Sequence, residues 1–72
     1  MIKTLIRVES SMVYAIGYCS EEKSLEVVFT KGKIWRYEDV PEDVYEEFIN
    51  STSLGSYMRN HILDCYREYS ID

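Results

Sequence analysis

The single proline of this 72-residue chain, Pro41, marks a change of hydrophobic period. Before it, β-branched and aromatic residues alternate in short runs, as in half-buried strands. After it, apolar residues recur at steps of three and four, as on one side of a helix. Proline is excluded from helix interiors and from the centre of a sheet, so the two halves cannot be one continuous element. Strands followed by helices specify an α+β fold: a small antiparallel sheet of three to four strands, followed by two helices packed on one face. Its length predicts a single domain over residues 1–72.

The segment "SLEVVFTKGKIWRY" reads as a hairpin. With Lys31, Gly32 and Lys33 as its loop, Phe29 lies opposite Trp35 and Val27 opposite Tyr37. Leu25, Val27, Phe29, Trp35 and Tyr37 then share one face. A two-residue loop would mix the faces, and Gly32 supplies the backbone freedom a tight connection needs. Upstream, "SMVYAIGY" is a third strand, and "IKTLIRV" is a fourth strand or an arm.

Pro41 fits the first turn of a helix, where an N–H would be unpartnered anyway, and Glu42 and Asp43 suit the positive end of the helix dipole. Val44, Tyr45, Phe48 and Ile49 form its apolar stripe, and Asn50 to Ser53 closes this helix and opens the next. In the second helix Met58, Ile62, Cys65, Tyr66 and Tyr69 form a stripe that would cover the sheet.

So short a chain buries a small fraction of its surface and needs stabilisation beyond its core. Cys19 and Cys65 are far apart with no CxxC pair, and are read as reduced thiols. One histidine and two distant cysteines make no metal-ligand set, and the acidic run lacks the glycine turn of a calcium loop. No cofactor is implied. Self-association remains, and seven tyrosines, two phenylalanines and one tryptophan exceed what a small core needs, so a homo-oligomer is expected. The start is too short and too charged for a signal peptide and no run is long enough to span a membrane, which predicts a cytoplasmic protein.

The net charge of −5 argues against broad binding to a nucleic-acid backbone. Its distribution is uneven: six acids and no base lie between Glu38 and Glu47, whereas Lys31, Lys33 and Arg36 cluster just before them. Such a basic patch suits a small anion better than a long duplex. Catalysis finds little footing, since His61 is the only histidine and no serine or cysteine gains an evident base; the chain is read as no enzyme.

Two stretches carry binding chemistry. In "STSLGSYMRNHI" Ser53 is placed to cap the second helix, and the same N–H groups beside Arg59 could receive an anion. Ser53, Gly55, Ser56, Tyr57 and Arg59 are the candidate ligand-binding residues, with Arg36 nearby. The basic turn around Lys31 and Lys33, with Arg36, Trp35 and Tyr37, is either a stacking and phosphate-contact surface or a solvated hairpin tip whose rings belong to the core.

The segments "SSMVYAIGY", "LEVVFTKGKIWRYEDVPEDVYEEF" and "STSLGSYMRNHILDCY" together resemble the KTSC domain, a small module found at the C-terminus of some lysyl-tRNA synthetases and alone in bacteria and phages. The pattern is carried by Ser10 and Ser11, Gly17 and Tyr18, then Val40, Pro41, Val44 and Tyr45. It continues through Ser53, Gly55 and Tyr57 to Ile62 and Tyr66. Cys19, Trp35 and Arg59 depart from it. The resemblance implies a non-catalytic binding module, usually described as RNA-binding. The acidic balance and the aromatic surplus favour a small nucleotide, including a cyclic signalling nucleotide held between subunits. The alternative is a protein-interaction module that uses the acidic first helix and exposed tyrosines.

Overall fold

A computed structural model describes residues 5–71. Its strands are β1 (Ile6–Arg7), β2 (Val13–Cys19), β3 (Ser24–Phe29), β4 (Ile34–Glu38) and β5 (Arg67–Ser70). Helices α1 (Glu42–Ile49) and α2 (Leu54–Tyr57) lie between β4 and β5, and α2 runs on into a π-helical segment, Met58–Ile62. The sheet is antiparallel throughout, in the order β1-β2-β3-β4-β5. The α+β class is as expected, but five strands replace three or four. One addition, β1, comes from the segment read as a strand or an arm, of which residues 1–4 lie outside the described residues.

The other addition overturns part of the second helix. Its helical stretch stops at Ile62: Leu63 is extended, at φ −63° and ψ 131°, and Asp64 takes a left-handed φ of 64°. Cys65 donates its N–H to the Ile62 carbonyl at 3.1 Å, closing the turn. Arg67 to Ser70 then pair with β4, setting Tyr69 opposite Arg36. Without them the outer edge of β4 would present a row of unpaired N–H and carbonyl groups, a demand that local periodicity does not register.

The β3–β4 hairpin has a three-residue loop, as expected, but the loop is Thr30, Lys31 and Gly32. Phe29 donates to the Lys33 carbonyl at 2.8 Å and Gly32 to the Phe29 carbonyl at 2.9 Å. Gly32 takes a φ of 96°, the left-handed position such loops require. The register is therefore two residues from the expected one, with Val27 opposite Trp35 and Leu25 opposite Tyr37. Because side chains alternate with a period of two, that slip leaves the expected face intact.

A bulge at Tyr14 does the same service in β2. Val13 pairs with Phe29 while Ala15 pairs with Val28, so Tyr14 is the extra residue. The bulge lets Val13 and Ile16, three apart in sequence, both enter the core, and turns Tyr14 out to solvent. Val13, Ile16, Leu25, Val27 and Tyr37 from the sheet meet Val40, Phe48, Leu54, Met58 and Ile62 from the helical side. Burying a ring such as Phe48 contributes about 2–3 kcal/mol. Pro41 serves as the N-cap of α1, one residue before the expected first turn, and its carbonyl accepts from Val44 and Tyr45.

Candidate functional site

Two clefts adjoin where the chain enters β2. The smaller, about 220 Å³, is lined by Glu9, Ser10, Ser11, Met12, Thr52, Ser53, Leu54, Gly55 and Arg59. The larger, about 420 Å³, has Phe29 and Trp35 as its ring surfaces and Lys31 and Lys33 at its rim, with Thr30, Ser11 and Met12 completing it. Ser11 and Met12 belong to both. The larger falls within the ~300–1,000 Å³ typical of ligand pockets and the smaller is below it, so the smaller reads as an annex.

The local sequence explains this entry. Ser10 Oγ accepts from the N–H groups of Met12 and Val13 at 3.1 and 3.2 Å, turning the chain into β2. Thr30 then fastens the hairpin to the same strip: its N–H donates to the Met12 carbonyl at 3.0 Å and its hydroxyl to the Ser11 carbonyl at 3.1 Å. On the helical side Ser53 Oγ accepts from Ser56 N–H at 3.3 Å, as a helix cap should. Arg59 reaches back across Gly55, its Nη1 lying 3.9 Å from Met12 Sδ. A Cβ on Gly55 would meet Met12 Sδ at 3.5 Å and Arg59 Nη1 at 3.6 Å, an ordinary contact, so the cleft does not demand glycine.

Ser53, Gly55 and Arg59, three of the residues expected at the site, therefore share the smaller cleft. Ser56 and Tyr57 do not line it. Ser56 contributes a backbone N–H to the cap, and Tyr57 packs inward, its ring 5.6 Å from Phe48 and 4.5 Å from His61. The Tyr57 hydroxyl donates to Glu47 Oε1 at 2.9 Å, and desolvation together with that carboxylate pushes its pKa up to about 12.

Arg36 stands elsewhere. It pairs with Glu26 across the strands, so it projects from the sheet face opposite the one that Val27 and Tyr37 present to the helices. There its guanidinium meets Glu22 at 2.8 Å, Glu26 at 3.5 Å and Glu38 at 3.5 Å, and donates to Ser24 Oγ at 2.9 Å. The Tyr69 hydroxyl donates to Glu38, and this hydrogen bond, followed by the nearby Arg36 charge, holds the Glu38 carboxyl below its ordinary range. The expectation of Arg36 near an anion site is thus corrected: carboxylates surround it on another face.

Of the rings weighed at the basic turn, Tyr37 belongs to the core at 1% exposure, and burial raises its hydroxyl pKa strongly. Trp35 and Phe29 are half-buried and reach the larger cleft. Tyr37 thus follows the core reading of that turn, and Trp35 also packs against the core while lining the cleft. Lys31, Lys33 and Arg59 make no ion pair among the described residues, in contrast to Arg36. Sequence reasoning about the site missed Glu9, Ser11, Met12, Phe29 and Thr52. The signal available was the serine pair Ser10–Ser11, whose hydroxyls announce a turn but not what the turn adjoins.

Among the described residues, no group of histidine, cysteine and acidic side chains is arranged to hold a metal, and no helix is long and apolar enough to cross a membrane. Cys19 and Cys65 are free.

Residues 9–66 match the model of the KTSC domain. A relative from Stutzerimonas stutzeri (strain A1501) is 35% identical over 69 residues, spanning 93% of this chain and 96% of its own. One from Tsukamurella paurometabola is 30% identical over 64 residues, spanning 89% and 96%. The crystal structure of a KTSC domain protein from Yersinia pestis superposes with a TM-score of 0.91 at 27% identity, covering 96% of this chain and 97% of that one.

Proposed function

The chain belongs to the KTSC domain family, and we propose that this member is a non-catalytic module that binds a nucleotide or a short RNA in the joined clefts. The observation that carries this reading is their adjacency. A ring-walled cleft with two lysines shares the Ser11–Met12 strip with a hydroxyl-lined one that holds Arg59. The half-buried rings still offer an edge on which a base can stack, and Lys31, Lys33 and Arg59, which make no ion pair among the described residues, are available to phosphate. The sheet face around Arg36 is less suited, because Glu22, Glu26 and Glu38 would repel a phosphate there.

A titration of the purified protein with nucleotides and short oligoribonucleotides, read by calorimetry, tests the reading. Binding that weakens about tenfold in the Lys31→Gln, Lys33→Gln double variant supports it. Absence of binding across the panel would sink it.

The second reading, a protein-interaction module, draws on α1. Glu42, Asp43, Glu46 and Glu47 are all exposed there, a surface suited to a basic partner. Charge reversal at Glu42 and Glu46 would abolish such an interaction, whereas Arg59→Ala would leave it unchanged.

A further inference from the structure

The joined clefts are not uniformly basic. Lys31 and Lys33 stand at the ring-walled end and Arg59 at the hydroxylated end, and Glu9 lines the same annex as Arg59. Three cations and one carboxylate leave the lining with a net of two positive charges. The remaining polar groups of the annex are neutral hydroxyls, from Ser10, Ser11, Thr52 and Ser53.

We infer that this site selects nucleotides whose phosphates are singly charged diesters, linear or cyclic, over nucleoside 5′-di- and triphosphates, with Glu9 as the discriminating residue. The inference rests on the nucleotide reading above. A phosphodiester carries one negative charge, whereas a terminal phosphate approaches two near neutral pH because its second pKa is about 6. Two diesters can be seated at the cations of the lining without setting a doubly charged group beside Glu9. A triphosphate brings roughly four charges, and seating its doubly charged end beside Arg59 also seats it beside Glu9. Neutral hydroxyls can satisfy the lone pairs of a diester without adding the cations a dianion would need. Glu9 is exposed, so water and salt screen its repulsion, and the outcome is a preference that fades as ionic strength rises.

The test compares three probes by calorimetry on the full chain at about 50 mM salt, where the Debye length still spans the site. Linear ApApA and cyclic di-AMP each carry two diesters, and ATP carries a triphosphate. The unmodified protein is expected to bind at least one diester probe about tenfold tighter than ATP, and Glu9→Gln to narrow that ratio by about threefold through tighter ATP binding. The linear and cyclic arms tell an RNA-like ligand from a cyclic one. ATP binding as tight as both diesters, or a ratio unmoved by Glu9→Gln, overturns the selectivity while leaving nucleotide binding standing. Failure of all three probes and of the oligoribonucleotides overturns both.

Discussion

Arg36 and Arg59 are both arginines on an acidic chain, yet their surroundings assign them opposite consequences when removed. Arg36→Met keeps most of the apolar stem and deletes the guanidinium, leaving Glu22, Glu26 and Glu38 facing one another. Stripping one partner from a fully buried ion pair costs about 3–5 kcal/mol. These side chains are partly wet, with Arg36 20% exposed, Glu26 12%, Glu38 25% and Glu22 51%. Solvent screening therefore reduces the loss, to about 2 kcal/mol, with most of it from Glu26, Glu38 and the hydrogen bond to Ser24. In a domain of this size that lowers Tm by roughly 10 °C. Arg59→Met, which breaks no ion pair among the described residues, should move Tm by less than about 3 °C. Urea and thermal denaturation read the stability of each variant, and a nucleotide titration below the lower Tm reads binding. Lower stability with intact affinity is expected for Arg36→Met, and the reverse for Arg59→Met. Unchanged Tm together with lost affinity in Arg36→Met would refute the assignment of Arg36 to the fold.

Two further perturbations isolate single contacts. The hydrogen bond from Tyr69 depresses the Glu38 pKa, so its stabilising effect is complete above the ordinary carboxylate range and is lost as pH falls through the lowered value. Tyr69→Phe should therefore be less stable than the unmodified protein at pH 6–7, with the difference closing towards pH 3; a gap that is constant with pH in urea unfolding would contradict this. Gly32→Ala places a Cβ with nothing within 4 Å but at a φ of 96°, so its expected cost of about 1 kcal/mol is purely conformational, measured as a shift in urea midpoint at unchanged slope.

The faces of the sheet were legible in the sequence for a reason that also hid its charges. A two-residue slip preserves which side chains share a face, so Leu25, Val27 and Tyr37 were correctly placed on one face, which the structure buries, despite the wrong partners. The same slip set Arg36 opposite Val28 instead of Glu26 and concealed an ion pair that the correct register displays. The segment from Cys65 to Tyr69 was illegible for another reason: its spacing fits a helix, and what draws Arg67 to Tyr69 into β5 is the unpaired edge of β4, remote in sequence. At the site, Ser53, Gly55 and Arg59 were within reach because one short segment supplies all three. Their neighbours Glu9, Ser11 and Thr30 arrive through β-sheet topology, which single-segment chemistry does not encode.

The Ser11–Met12 strip has a thermodynamic consequence. Because it lines both clefts, an occupant of one that displaced it would alter the volume of the other. Under the nucleotide reading, linkage would make such coupling reciprocal: whatever a base gained from a phosphate seated next door, the phosphate would gain equally from the base. Thr30 grips the strip from the hairpin side through two hydrogen bonds. Displacing the strip would therefore also load the loop that bears Lys31.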